Sequence, residues 1–163
     1  MSCPGSVIIK TYDAIRSLRE AGVIIAVGFH SPMERECLDF FLRGTQAVVF
    51  SPAFGIDWLQ PGDEEQRAVE EHRLLVMSIL GAEVTRATPT SALLRNAFVA
   101  ALAGAVFVPH AAPAGKAEVT ARQAIARGQV VLTFDDRENA RLINFGARPL
   151  LKADLEGVAG AGF

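Results

Sequence analysis

Disulfide chemistry has little to work with in this chain. Of its 163 residues only Cys3 and Cys37 are cysteines, far apart and without a CxxC pair or a Cys/His cluster around them, so neither a structural disulfide nor a zinc site is expected. Long hydrophobic runs are missing too: no apolar stretch reaches the about 18 residues of a membrane span. The opening Met1-Ser-Cys-Pro-Gly-Ser6 lacks the basic start and apolar run of a secretory signal. A cytoplasmic protein that does not enter a membrane is the expectation. There is no GxGxxG, no GxxxxGK[ST], no GxSxG, no HExxH and no Asp-rich cluster, so dinucleotide binding, Walker-type nucleotide hydrolysis, serine-hydrolase chemistry and metal catalysis all lose their usual sequence support. No metal or cofactor is expected. An excess of one charge is also absent, 16 Lys+Arg against 18 Asp+Glu giving a formal net charge of -2. That balance argues against a surface built to coat duplex nucleic acid and leaves room for a local basic pocket.

What the chain does have is the composition of a folded domain. Hydrophobic residues make up 50% and charged residues 21%, and the glycines and prolines are scattered, which points to one globular domain over 1–163 with residues 1–6 and 157–163 frayed. The runs Val23–Val27, Ala47–Phe50, Leu74–Ile79, Ala105–Val108 and Val130–Phe134 are short, rich in β-branched residues and bounded by turn formers, and read as five strands. Helix-length segments lie around them at Thr11–Ala21, Pro32–Arg43, Asp63–His72, Ser91–Ala103, Ala117–Arg127 and Arg137–Asn144. Gly22, Gly44, Gly104, Gly128 and Gly146 each follow a helix and precede an apolar run, the punctuation of βαβ crossovers. The fold class is therefore α/β, a three-layer Rossmann-like arrangement with a mainly parallel sheet flanked by helices. Ligands of such sheets bind outside the carboxyl ends of the strands.

Three strand-to-helix junctions supply candidates at that edge. In Gly28-Phe29-His30-Ser31-Pro32-Met33-Glu34, Ser31 has the place of an N-cap, Pro32 of the first helical residue and Glu34 of the closing member of a capping box. Free amides there would suit a phosphate. The alternative is that Ser31 and Glu34 already satisfy those amides, and His30 is equally a surface histidine without a role. In the second junction Arg95 and Asn96 stand together in an otherwise apolar helix. A buried arginine without an anion is costly and a guanidinium offers five donors, so Arg95 is the strongest phosphate-binding candidate. Its alternative is a salt bridge to a carboxylate on a neighbouring helix. The third, Val108-Pro109-His110-Ala-Ala-Pro-Ala-Gly115-Lys116-Ala-Glu118, is a small-residue loop in which Gly115 permits close approach and Lys116 brings a point charge, unless Lys116 is a solvated surface residue. Asp135 and Asp136 read as helix caps, and Asp63, Glu64 and Glu65 as complements of a helix dipole. Phe29, Phe54 and Trp58 are the aromatics available for stacking on bases.

The order of these junctions resembles the DNA-processing protein A (DprA/Smf) family. The resemblance is carried by Gly28-Phe-His-Ser-Pro-Met-Glu-Arg-Glu-Cys-Leu, by Arg43-Gly44 and Phe50-Ser-Pro-Ala-Phe-Gly-Ile, by Leu94-Arg-Asn-Ala-Phe-Val-Ala-Ala-Leu-Ala, by Val119-Thr-Ala-Arg-Gln-Ala and by Leu142-Ile-Asn-Phe-Gly-Ala147. It spans roughly residues 22–148. The resemblance implies the Rossmann-like fold shared with the cytokinin-activating phosphoribohydrolases, with Gly28, His30, Ser31, Arg95, Asn96, Gly115 and Lys116 on the ligand edge. In the DprA-like branch that edge grips the phosphates of single-stranded DNA and the protein loads a recombinase. This chain lacks the family's first strand and its Gly-Ser-Arg loop.

Two functions follow as expectations. The first is a stand-alone module, expected to be a homodimer, that binds nucleotide phosphates or single-stranded DNA in DNA processing or uptake, through Gly28, Phe29, His30, Ser31, Arg95, Asn96, Gly115 and Lys116. The second is an enzyme, a nucleoside-monophosphate phosphoribohydrolase in which Glu118 would stabilise the ribosyl cation. That family's Pro-Gly-Gly-x-Gly-Thr-x-x-Glu motif is not present, which ranks this reading second.

Overall fold

Each strand leaves into a helix that carries the chain back, and in a computed structural model of the protein, which describes residues 4–157, every strand pairing is accordingly parallel. The chain divides into two compact units, one of Ser17–Val99, the other of the stretch before Ser17 together with Ala100 onward.

In the first unit β1 (Ile25–Val27), β2 (Val48–Phe50) and β3 (Leu74–Val76) form a sheet in that order. They are connected by α2 (Pro32–Leu42) and α3 (Asp63–Glu70); α1 (Gly5–Glu20) and α4 (Pro89–Leu102) each run across a boundary of the unit, with Pro89–Val99 of α4 inside it. The amphipathic face of α2 buries Cys37, Leu38, Phe41 and Leu42, and Val48, Phe50 and Leu74 of the strands are buried with them. Fully burying one such Leu or Phe is worth about 1.5–3 kcal/mol, so this interlayer is what holds the sheet's rim in place.

In the second unit β4 (Ala105–Phe107), β5 (Val130–Thr133) and β6 (Arg148–Pro149) form the other sheet, again in sequence order. Its strands are interleaved with α5 (Lys116–Ala126) and α6 (Ala140–Phe145), and α7 (Lys152–Gly157) follows. Its core joins Val108, Ala121, Ala124, Val131 and Leu142. The alanines matter here, because a small face on α5 lets the helix lie close on the strands.

The α/β class and the parallel pairing agree with the sequence; several boundaries do not. The backbone hydrogen bonds form two three-stranded sheets, and a sixth strand, β6, was not expected. Its Pro149 has no N–H to give and is tolerated because β6 is an edge. The third strand stops at Val76 and not Ile79, since Ser78 turns the chain by donating to the Phe54 carbonyl and accepting from the Leu80 amide. Residues 5 and 6 lie in a helix: α1 begins at Gly5, with the Val7 and Ile8 amides on the Pro4 carbonyl. Residue 157 likewise ends α7, while Cys3 and 158–163 lie outside the described residues. Of the five helix-ending glycines, Gly22, Gly128 and Gly146 have the expected positive φ, and Gly44 and Gly104 do not.

Candidate functional site

At the carboxyl end of β1 the chain must turn directly into α2, and Phe29 sets the geometry. Its ring is 1% exposed and meets Phe50 edge-on at 5.8 Å between centroids. Seating it there puts the backbone at φ 43°, a left-handed conformation costing a non-glycine residue about 1–2 kcal/mol, which the buried ring offsets. Phe29 is therefore a core residue, and its buried ring is corrected as a stacking platform. His30 and Ser31, the next two residues, are exposed. Phe54 is half-buried and Trp58 is exposed, its indole N–H fixed on the Ala82 carbonyl at 2.7 Å.

Ser31 caps α2 as its sequence predicts. Its hydroxyl accepts from the Glu34 amide at 3.3 Å, and a Glu34 carboxylate oxygen accepts from the amides of His30 and Ser31 at 2.9 and 2.8 Å. The alternative weighed for this junction is thus realised: a carboxylate of the chain itself already sits on these amides.

Arg95 reaches the same rim from α4. That helix starts with the device used by α2, a hydroxyl residue followed by proline: Thr88 accepts from the Ser91 amide, and Ser91 accepts from the Thr88 amide. Two turns on, Arg95 is 5% exposed. Its Nη1 donates to the Ser51 carbonyl, one residue past β2, at 2.8 Å, and its Nε donates to Oδ1 of Asn96 at 2.8 Å. The guanidinium lies against Gly28, where an added Cβ would fall 1.2 Å from Nη1 and 1.8 Å from Cζ. Only glycine fits there. No carboxylate lies within salt-bridge distance of Arg95 among the described residues, so the neighbouring-helix salt bridge is excluded. Burial lowers the Arg95 pKa and the charge of Glu34 pushes it back up. A guanidinium does not lose its proton at this cost, so the site carries a desolvated cation. Two neutral acceptors take part of its fork, leaving Nη2 and the second Nη1 proton for an external acceptor. Close by, the buried Ser51 hydroxyl has no partner among the described residues.

The third junction belongs to the other unit. Gly115 is the N-cap of α5, and a Cβ there would stand 2.9 Å from the Ala112 carbonyl. Ala114 before it has φ 58°, and Lys116 is exposed. Glu118 is buried, accepts from the Ala114 amide at 3.3 Å, and takes Arg141 Nε and Nη2 at 3.1 and 3.2 Å. The hydrogen bond from Arg141, chiefly, holds its carboxyl below the ordinary range. Asn139, 1% exposed, binds the Pro109 carbonyl at 2.8 Å and so fixes the start of this loop. Asp136 caps the turn before α6 by accepting from the Glu138 amide, and Glu65 of the acidic run accepts from the Gly62 amide. These two acidic groups are structural, as their positions predict.

The structure thus brings Gly28, Arg95 and Asn96 together at one rim, sets His30 and Ser31 in a capping box with Glu34, and gives Gly115, Lys116 and Glu118 to a separate loop. Sequence reasoning missed Ser51, Arg141 and Asn139. For Ser51 only its place directly after a predicted strand could have pointed to it. Arg141 and Asn139 carry no local signal, because both act on residues more than 20 positions away.

No family model matches the chain, and no curated protein matches it. Solved structures do, among them two of DNA processing protein A. DNA processing protein A of Streptococcus pneumoniae superposes with a TM-score of 0.73 at 18% identity, over 99% of this chain and 59% of that one. DNA processing protein A of Helicobacter pylori, for which a single-stranded DNA binding mode is described, gives 0.69 at 18% identity, over 97% of this chain and 74% of that one. The chain spans less than two thirds of the Streptococcus protein's length. Over nearly all of its own length, then, it is similar in fold to DNA processing protein A.

Proposed function

We propose that the protein binds phosphates of single-stranded DNA or of nucleotides at the carboxyl rim of β1 and β2, with Arg95 as the principal contact, and that it serves in DNA processing. The observation that carries this reading is the Arg95 guanidinium: 5% exposed, bonded to two neutral oxygens, without a carboxylate partner, and pressed on a glycine. A buried cation left in that state costs stability unless something anionic completes it. A phosphate's paired oxygens match the remaining guanidinium donors. The fold shared with a protein described as binding single-stranded DNA supports the same ligand class. Gly28 acts by making room, Asn96 by orienting Nε, and Ser51 by anchoring Nη1; in the other unit Gly115 and Lys116 are proposed as a separate pair of phosphate contacts.

Fluorescence anisotropy with a labelled oligothymidylate tests this. Arg95→Ala is expected to weaken binding by about 10- to 150-fold, the worth of about 1.5–3 kcal/mol for a charged hydrogen-bonded contact. Arg137→Ala, a control whose side chain is 92% exposed, is expected to change it little. Equal affinities for wild type and Arg95→Ala would refute the proposal.

A further inference from the structure

The α2 N-terminus is largely occupied by the chain's own carboxylate. Glu34 takes the His30 and Ser31 amides at 2.9 and 2.8 Å, the Ser31 hydroxyl takes the Glu34 amide, the Arg35 amide is on the Ser31 carbonyl, and Pro32 has no N–H. An anion at this rim therefore meets the remaining donor positions of Arg95 and the Met33 amide, with the Glu34 carboxylate seated on the His30 and Ser31 amides, two and three residues from the Gly28 that Arg95 presses on. Resting on the reading just proposed, we infer that Glu34 makes the rim selective for phosphodiesters over phosphate monoesters.

The selectivity rests on charge. A diester has two non-bridging oxygens and one negative charge, so the free side of the guanidinium satisfies it. A monoester has three terminal oxygens and about 1.5–2 negative charges at neutral pH. Its extra charge faces the Glu34 carboxylate in a partly desolvated setting where like charges repel more strongly than in water. The charge of Glu34 raises the Arg95 pKa against the larger lowering by burial, in keeping with that placement. Internal phosphates of a strand would thus be accepted, and free mononucleotides or strand ends disfavoured.

Competition against the labelled oligothymidylate tests this, with AMP and the methyl ester of AMP as competitors. For the wild type the methyl ester is expected to compete at least as well as AMP despite its lower charge. In Glu34→Gln, with its fold checked by circular dichroism, AMP is expected to gain about tenfold over the ester, a shift on the scale of one partly screened charge. A wild type that prefers AMP, a preference unmoved by Glu34→Gln, or failure of both competitors would overturn the inference. If the Gln variant does not fold, the wild-type preference decides by itself. Oligonucleotide binding that stays Arg95-dependent while the ester preference is absent sinks only this inference, whereas loss of the Arg95 dependence sinks the reading beneath it.

Discussion

Gly28 and Arg95 are mutually dependent, and the dependence is steric before it is chemical. A methyl group at 28 would stand inside the guanidinium, 1.2 Å from Nη1, so Gly28→Ala must expel Arg95 from its place on the Ser51 carbonyl. The expected result is a loss of about 1–3 kcal/mol, the usual cost of overpacking a filled site, seen as a lower urea midpoint, together with weaker oligonucleotide binding. Unchanged stability and binding in Gly28→Ala would show that Arg95 is free to lie elsewhere. Cys37 offers a second residue-level check. Burial, aided by the charges of Glu34 and Glu36, raises its thiol pKa to about 11. A thiol held neutral is a poor nucleophile, so Cys37 is expected to react with a thiol reagent at pH 8 only once the protein unfolds, as peptide mapping of the labelled site would show.

Among the elements, the best-legible ones were those whose ends are fixed by local chemistry. Ser31-Pro32-Met33-Glu34 predicts both the start of α2 and its capping box, because every partner lies within four residues. Gly146 does the same for the end of α6, where φ is 115°. Gly146→Ala is expected to cost about 1 kcal/mol or more from backbone strain, read from thermal unfolding; a neutral result would contradict the assigned cap. Strand boundaries were less legible because pairing decides them: β6 exists through its bonds to β5, such as the Leu150 amide on the Thr133 carbonyl, and nothing in Arg148-Pro149 announces it. The site was legible to a similar degree. The arginine in an apolar helix was conspicuous, but that Phe29 would point into the core and Glu34 would occupy its neighbours' amides depended on packing in three dimensions.

For the whole molecule, ion pairs give a pH dependence that can be signed. Glu118, Asp136 and Asp154 have carboxyl pKa values lowered chiefly by hydrogen bonds from Arg141, Lys10 and Arg148 respectively. A lowered folded value means that the stabilisation is complete above the unfolded carboxyl range, near about 4, and is lost as pH falls through the folded values. The urea midpoint should therefore hold steady from neutral pH to about 5 and drop in acid, less steeply in Asp154→Asn. The overall charge of -2 also bears on ligand binding. With no broad positive field, attraction for a strand rests on few phosphate contacts, and each contributes a salt slope of only about 0.7. The most direct test follows the nucleus at the centre of the account: the Nε–H resonance of Arg95 in an NMR titration with oligothymidylate. A saturable shift of that signal, with the same midpoint as the binding isotherm, is the predicted result. An oligonucleotide that binds while the Arg95 resonance stays where it was would contradict it.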